Sequence, residues 1–203
     1  MIAIVDYGVG NLFSMKCSLD YIGADCAVTA DPETIRAAEK LILPGVGAFG
    51  DAISKLRATG LDQVVLEHAE TGKSLLGICL GMQLLFERSF EYGEHTGLGL
   101  LEGAVVPLTQ ELLQAPLKIP HMGWNSLDFR RQSPLLKGIR EEDSVYYVHS
   151  FFAPVGEYTA ASSRYGGAEV SGLVQKDNVF GTQFHPEKSG DVGLAILRAF
   201  EKL

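Results

Sequence analysis

The chain has 203 residues, of which 46% are hydrophobic and 21% charged, enough to build a globular domain with its own core. Its formal net charge of −8 argues against nucleic acid or an anionic membrane surface as a partner. No stretch approaches the roughly 20 apolar residues of a membrane span, and Asp6 follows the first apolar run too closely for a signal peptide, so we expect a cytoplasmic protein.

The first half of the chain alternates apolar strands with helical patterns. The predicted strands are 1–6, 24–30, 41–43 and the run that ends at Ile78, and the predicted helices are the run to Ile22, the one begun by Asp31-Pro32-Glu33, 51–57 and 61–71. The glycine loop of residues 8–11 follows the first strand. However, Phe13 stands where the third glycine of a dinucleotide-binding G-x-G-x-x-G would fall, which excludes that motif.

This β-α order predicts an open, flavodoxin-like α/β sheet with a parallel core and helices on both faces. In such sheets, functional sites form outside the carboxyl ends of the strands. Three loops then converge on one site, namely residues 8–11, residues 44–49 and the turn at Cys79.

The turn at Cys79 carries the clearest sign of chemistry. The apolar run ends at Ile78 and a helical pattern begins at Leu80, with glycines at 77 and 81. A strand turns into a helix this abruptly only when the pivot residue takes a strained backbone and its neighbours are small. Cys79 is therefore predicted to stand exposed at a nucleophile elbow, at a helix N-terminus that favours a thiolate. The alternative is a cysteine that only packs in the core.

The Pro44-Gly45-Val46-Gly47 loop is suited to an oxyanion hole. Acyl chemistry needs two N–H groups aimed at the developing oxyanion, each worth a factor of about 10²–10³ in rate. The amide of Leu80 would supply one, and that of Val46 is the best candidate for the other, because the flanking glycines allow close approach or rotation. The alternative is a tight turn that only leads out of a strand.

The second half of the chain changes to short strand-like runs. Residues 89–99 are polar and glycine-rich, and are predicted to form a surface loop. Mixed or antiparallel strands are predicted at 104–106, 124–129, 145–148, 159–162, 172–175 and 179–184. Since no linker or repeat divides the chain, we expect one domain over residues 1–203.

The last predicted strand ends in Phe184-His185-Pro186-Glu187. Residues two apart in an extended segment point to the same side, so His185 and Glu187 can act together. The imidazole would be the base, and the carboxylate would hold its tautomer. Ser189 is then expected to cap a final helix through Leu203.

The other cysteines and histidines carry weaker signals. Cys17 and Cys26 are predicted core positions, and three cysteines without a C-x-x-C pair argue against a zinc site or a disulfide framework. His68 is predicted to be solvated on a helix, while His121 and His149 begin or end strands and could serve substrate-side or structural roles. Neither a metal nor a cofactor is expected.

Three motifs together, G-I-C-L-G-M-Q, P-G-V-G-A-F and the terminal H-P-E, resemble those of the class I (triad) glutamine amidotransferases. More narrowly, the segments D-Y-G-V-G-N-L, P-H-M-G-W-N, Y-Y-V-H-S-F and F-H-P-E-K-S are similar to those of the glutaminase subunits of imidazole glycerol phosphate synthases. The resemblance implies hydrolysis of L-glutamine to glutamate and ammonia. It also implies that ammonia passes to a barrel-shaped cyclase subunit in histidine biosynthesis.

The resemblance also implies roles for individual residues. Cys79 matches the nucleophile, His185 the general base and acid, and Glu187 the orienting carboxylate. The positions implied to contact glutamine are Gly47, Gln83, Glu91 and the backbone of His149, Ser150 and Phe151. Those implied to face the partner are Asn11, Trp124 and Lys188.

Other functions stay open from the sequence alone. The chain could serve a different ammonia-using synthase, act as a cysteine peptidase, or be a catalytically silent regulatory module. We further hypothesise that the Val46 peptide is not fully set as a donor until the partner docks with its ligand, since glycines on both sides allow two states.

Overall fold

The computed structural model describes residues 1–203. The helices are α1 (Leu12–Tyr21), α2 (Pro32–Ala37), α3 (Phe49–Ala58), α4 (Leu61–Glu70), α5 (Leu80–Leu84), α6 (Gln110–Leu113) and α7 (Gly190–Glu201). The strands are β1 (Ile2–Val5), β2 (Cys26–Thr29), β3 (Lys40–Leu43), β4 (Ser74–Ile78), β5 (Phe86–Ser89), β6 (His95–Thr96), β7 (Leu101–Pro107), β8 (His121–Ser126), β9 (Asp128–Phe129), β10 (Ser144–His149), β11 (Phe151–Phe152), β12 (Thr159–Tyr165), β13 (Ala168–Lys176) and β14 (Val179–Thr182). None of the helices combines the length and the apolar character needed to cross a membrane.

An eight-stranded sheet runs through the molecule in the order β2-β1-β3-β4-β14-β13-β12-β9. The first five of these strands are parallel to one another, so the predicted parallel core of a flavodoxin-like sheet is confirmed. β4 and β14 are neighbours, with Ile78 opposite Thr182 at their carboxyl ends. The segments that follow these two strands therefore emerge side by side.

Helices cover both faces of the parallel strands. In β1, Ala3 and Val5 belong to the core layer built with α3 and α4, whereas Ile2 and Ile4 belong to the layer built with α1 and α7. Since alternate residues of a strand point to opposite faces, both sets must be apolar. This is why the buried strands of the first half appear in the sequence as continuous apolar runs.

The second half adds antiparallel pairs, as predicted. β13 pairs with β14 and β12, and β12 with β9, while β8 and β10 form a separate two-stranded sheet. A further sheet has the order β11-β7-β5-β6. The prediction of a surface loop over 89–99 is wrong in part, because the segment starts at the end of β5 and contains β6. Ser89 and Glu91 are buried.

Two predictions about helical side chains are wrong. Cys17 is exposed, because α1 buries Met15 and Leu19, and a residue midway between them lies on the opposite face. His68 is buried, because it continues the apolar stripe of α4, and its Nε2 bonds to the Ser74 carbonyl at 3.3 Å. The predicted core position Cys26 is half-buried, on the edge strand β2.

Candidate active site

Cys79 joins β4 to α5 with a backbone that few residues other than glycine adopt. Its φ is 55° and its ψ −110°, and its N–H donates to the Thr182 carbonyl of the neighbouring strand at 2.7 Å. A Cβ on Gly77 would meet the Met82 nitrogen at 2.7 Å, so the glycine is needed for α5 to fold back on β4. The strained elbow predicted from the sequence is present.

The side chain of Cys79 is less accessible than predicted. The residue is 7% exposed and forms part of the floor of a cavity, where the Gln183 Nε2 lies 3.8 Å from Sγ. Cys79 stands at the N-terminus of α5, which is only five residues long.

His185 and Glu187 form a buried pair beside Cys79. The His185 Nδ1 lies 2.8 Å from the Glu187 Oε1, and the two side chains are 3% and 2% exposed. The extended segment predicted here is wrong, since Pro186–Lys188 forms a 3₁₀ turn instead. Ser189 occupies the N-cap position of α7, as predicted, but its hydroxyl makes no cap hydrogen bond, because it donates to the His185 carbonyl at 2.6 Å and accepts from the Tyr146 N–H.

The surroundings of His185 favour its charged form. Burial by itself lowers the pKa of the imidazole, but the neighbouring Cys79 sulfur and the Glu187 carboxylate outweigh burial and raise the pKa to about 10. With Nδ1 occupied by Glu187, the Nε2 is left free for the cavity that His185 and Cys79 both line. The three side chains are thus placed as the predicted nucleophile, base and orienting acid would have to be.

The cavity above Cys79 has a volume of about 310 Å³. Every residue predicted to be catalytic or to contact substrate lines it, except Glu187, which lies behind His185. The predicted lining residues are Val46, Gly47, Cys79, Leu80, Gln83, Glu91, His149, Ser150, Phe151 and His185. The sequence did not indicate three further lining residues: Tyr92, which follows Glu91, and Pro120 and Val148, which lie inside two of the quoted segments.

Hydrogen bonds hold the polar walls of the cavity in place. The Gln83 Nε2 donates to the Phe151 carbonyl at 2.8 Å and to the Gln183 Oε1 at 3.0 Å. The Glu91 Oε2 accepts from the Phe49 N–H, at the start of α3, at 2.6 Å. Burial raises the pKa of Glu91, although this hydrogen bond opposes the shift.

The predicted oxyanion loop lies between β3 and α3. The Tyr7 hydroxyl donates to the Pro44 carbonyl at 2.8 Å and so anchors the start of the loop. Gly47 has a φ of 92°, a conformation that favours glycine. Val46 and Leu80, the two predicted donors, are both brought to the cavity that holds Cys79.

The three residues predicted to face a partner lie outside the cavity. Asn11 caps α1, with its Oδ1 accepting from the Ser14 N–H at 3.4 Å. Trp124 is 59% exposed on β8, and Lys188 is exposed in the turn that follows Glu187. Both α1 and β10, the partner strand of β8, contact that turn. No group of three or more His, Cys, Asp and Glu side chains is placed to hold a metal ion.

Comparisons with known proteins agree with this geometry. The sequence model of the glutamine amidotransferase class-I family matches residues 3–202. The chain is 50% identical to the imidazole glycerol phosphate synthase subunit HisH of Wolinella succinogenes, covering 98% of both chains. It is also 50% identical to the HisH subunit of Caldanaerobacter subterraneus, over 100% of this chain and 98% of that one. A chain in the structure of PurLQS from Thermotoga maritima shares the fold, with a TM-score of 0.76 at 20% identity over 98% of this chain and 96% of that one.

Proposed function

From the premise that the chain belongs to the class-I glutamine amidotransferases, and within them to the HisH subunits of imidazole glycerol phosphate synthase, we propose that Cys79, His185 and Glu187 hydrolyse the side-chain amide of L-glutamine. The observation that carries the proposal is the meeting of an elbow cysteine and a buried His–Glu pair at one cavity. Residues 1–203 would act as one amidotransferase domain, which the family match over 3–202 supports.

The reaction follows from the roles of the three side chains. The Cys79 sulfur attacks the amide carbon, and the carbonyl π electrons move to oxygen to give a tetrahedral oxyanion. The oxyanion collapses and the C–N bond breaks as His185 protonates the departing nitrogen, leaving a glutamyl thioester and ammonia. Water then attacks the thioester and gives its proton to His185, and glutamate leaves as the C–S bond breaks.

The cavity supplies the remaining requirements of this chemistry. The amides of Val46 and Leu80 would stabilise the oxyanion in both halves of the reaction. Gly47, Gln83, Glu91 and the backbone of residues 149–151 would hold glutamine, and a cavity of about 310 Å³ suits one amino acid rather than an extended peptide. That volume favours a glutaminase over the cysteine peptidase considered from the sequence.

We also propose that the ammonia passes to a cyclase subunit for imidazole glycerol phosphate formation. The printed names of the relatives designate subunits of that synthase. Asn11, Trp124 and Lys188 would face the cyclase, and the exposed indole of Trp124 supports this assignment.

Ammonia release from glutamine tests the proposal, measured with and without the cyclase and its nucleotide ligand. We expect Cys79→Ala to lower kcat by at least about 10⁴-fold, because triad residues act as a unit. Cys17→Ala is the matched control, since Cys17 is exposed on α1 and lines no part of the cavity, and it should keep full activity. An inactive wild-type complex would refute the proposal and favour a silent module, whereas a Cys79→Ala variant as active as an active wild type would refute the role proposed for Cys79.

A further inference from the structure

Two buried histidine side chains have no role in the proposed mechanism. His121 on β8 and His149 on β10 lie opposite each other, and the His121 Nδ1 is 2.9 Å from the His149 Nε2. The His121 ring is stacked on Tyr147 and Tyr165, with ring centroids 4.7 and 4.1 Å away. The pair is thus enclosed, and its hydrogen bonds can be followed one at a time.

The neighbours of the two rings determine where their protons are. The Asn125 Nδ2 donates to the Arg164 carbonyl at 2.8 Å while the Asn125 Oδ1 accepts from the Ser126 N–H, which fixes the orientation of the amide. Nδ2 therefore also donates to the His121 Nε2 at 3.2 Å, and His121 carries its proton on Nδ1. Burial lowers the pKa of His121 to about 4, so the ring is neutral near pH 7.

The same logic continues through the second ring. The His121 Nδ1–H donates to the His149 Nε2, so His149 also carries its proton on Nδ1 and donates to the Phe151 carbonyl at 3.0 Å. Burial, with a contribution from His121, lowers the pKa of His149 to about 3. The three hydrogen bonds form a series in which every donor points the same way, from Asn125 through the two histidines to the Phe151 carbonyl.

This series of hydrogen bonds ends on the wall of the cavity. The Phe151 carbonyl accepts from His149 and also from the Gln83 Nε2 at 2.8 Å, so two side chains on different elements hold one oxygen. Residues 149–151 and Gln83 line the cavity in which the proposed function places glutamine. We infer that His121 is a positioning residue of the glutamine site, which acts through His149 to hold the 149–151 segment against Gln83. This inference depends on the proposed function for the identity of the ligand.

Two substitutions at His121 separate hydrogen bonding from packing. His121→Phe keeps an aromatic ring between the tyrosines but removes the donor and the acceptor, whereas His121→Asn places an amide N–H near the position of Nδ1. We expect His121→Phe to raise the KM for glutamine about 10-fold in the complex with the cyclase and its nucleotide ligand, because one positioning hydrogen bond is lost. kcat should stay within about twofold, because the pair formed by His185 and Glu187 is held separately. His121→Asn should keep KM within about threefold of the wild type.

His68→Phe is the matched control, because it also removes a buried histidine that bonds to a carbonyl, but far from the cavity. It should lower the thermal midpoint and leave KM unchanged. An unchanged KM in His121→Phe, an equal KM rise in His68→Phe, or a failure of His121→Asn to rescue KM would overturn the inference.

A measurement on the wild-type chain needs no variant. Long-range ¹H–¹⁵N correlation spectra at pH 6 should show both His121 and His149 neutral with the proton on Nδ1. A charged ring, or a proton on Nε2 of either histidine, would overturn the inference even if His121→Phe did not fold. If the wild-type complex releases no ammonia, the proposed function fails, while the spectra still test the hydrogen-bond chain.

Discussion

At the scale of single residues, the site depends on one strained backbone. A positive φ at a residue other than glycine costs on the order of 1–3 kcal/mol and persists only where the surroundings enforce it. At Cys79 the hydrogen bond to the Thr182 carbonyl and the close packing of α5 on β4 enforce it. The strain therefore places the sulfur opposite His185, and both residues follow the carboxyl ends of adjacent strands.

Glu187→Gln tests how His185 is held. The carboxylate fixes the imidazole and helps to raise its pKa, so the amide should lower kcat by about 10²–10⁴-fold with little change in KM. Loss of the carboxylate lowers the pKa of His185, so the imidazolium loses its proton at a lower pH. The alkaline limb of the rate profile of the complex should shift to lower pH accordingly. Glu141→Gln, at an exposed position, is the control. A variant with the wild-type profile would contradict the role proposed for Glu187.

At the scale of elements, the site depends on how closely α5 approaches β3 and β4. A Cβ on Gly81 would overlap the carbonyl oxygen of Leu43, and one on Gly45 would meet the Gly81 nitrogen at 2.7 Å. Both obstacles are backbone, which cannot rotate away as a side chain can. The elbow and the oxyanion loop are therefore packed as one unit, and a change in one displaces the other.

Gly81→Ala should consequently affect stability and activity together. We expect a loss of about 1–3 kcal/mol in the free energy of unfolding, from overpacking. We also expect a lower kcat, because α5 begins at Leu80 and carries Gln83. Urea unfolding and ammonia release by the complex measure the two effects. Gly156→Ala is the control, since a Cβ there meets nothing within 4 Å. Equal unfolding midpoints for the two variants would contradict the packing argument.

The strands and turns around the site differ in how far they could be predicted from the sequence. The parallel core and the elbow were predictable, because apolar runs and glycine positions specify them locally. Lining residues such as Gln83 and Glu91 came only from the resemblance to a known family, because no local pattern marks them. The 3₁₀ turn at His185 was not, because the closure of Pro186–Lys188 depends on contacts with α1 and β10. The series of hydrogen bonds through His121 and His149 was missed for the same reason, since these two residues are 28 positions apart and meet only through the pairing of β8 with β10.

At the scale of the whole molecule, the parallel sheet gives its two edges different roles. Cys79, the oxyanion loop and the start of α1 all follow carboxyl ends of strands, as the topology requires. The opposite edge receives the ends of the helices, including Tyr21 at the end of α1. We therefore expect a partner that takes up ammonia to dock at the carboxyl edge, where Cys79 lies.

Trp124→Ala tests that docking surface. Trp124 is 59% exposed, and an exposed indole that becomes buried in an interface typically contributes about 2 kcal/mol or more. We therefore expect the substitution to weaken binding of the cyclase by roughly 30-fold, as measured by calorimetric titration, with an unchanged unfolding midpoint of the free chain. Tyr21→Ala is the matched control, because Tyr21 is 74% exposed but lies at the opposite edge of the sheet. Equal affinities for the two variants would place the cyclase elsewhere on the surface, and ammonia would then have to leave the cavity by a different route.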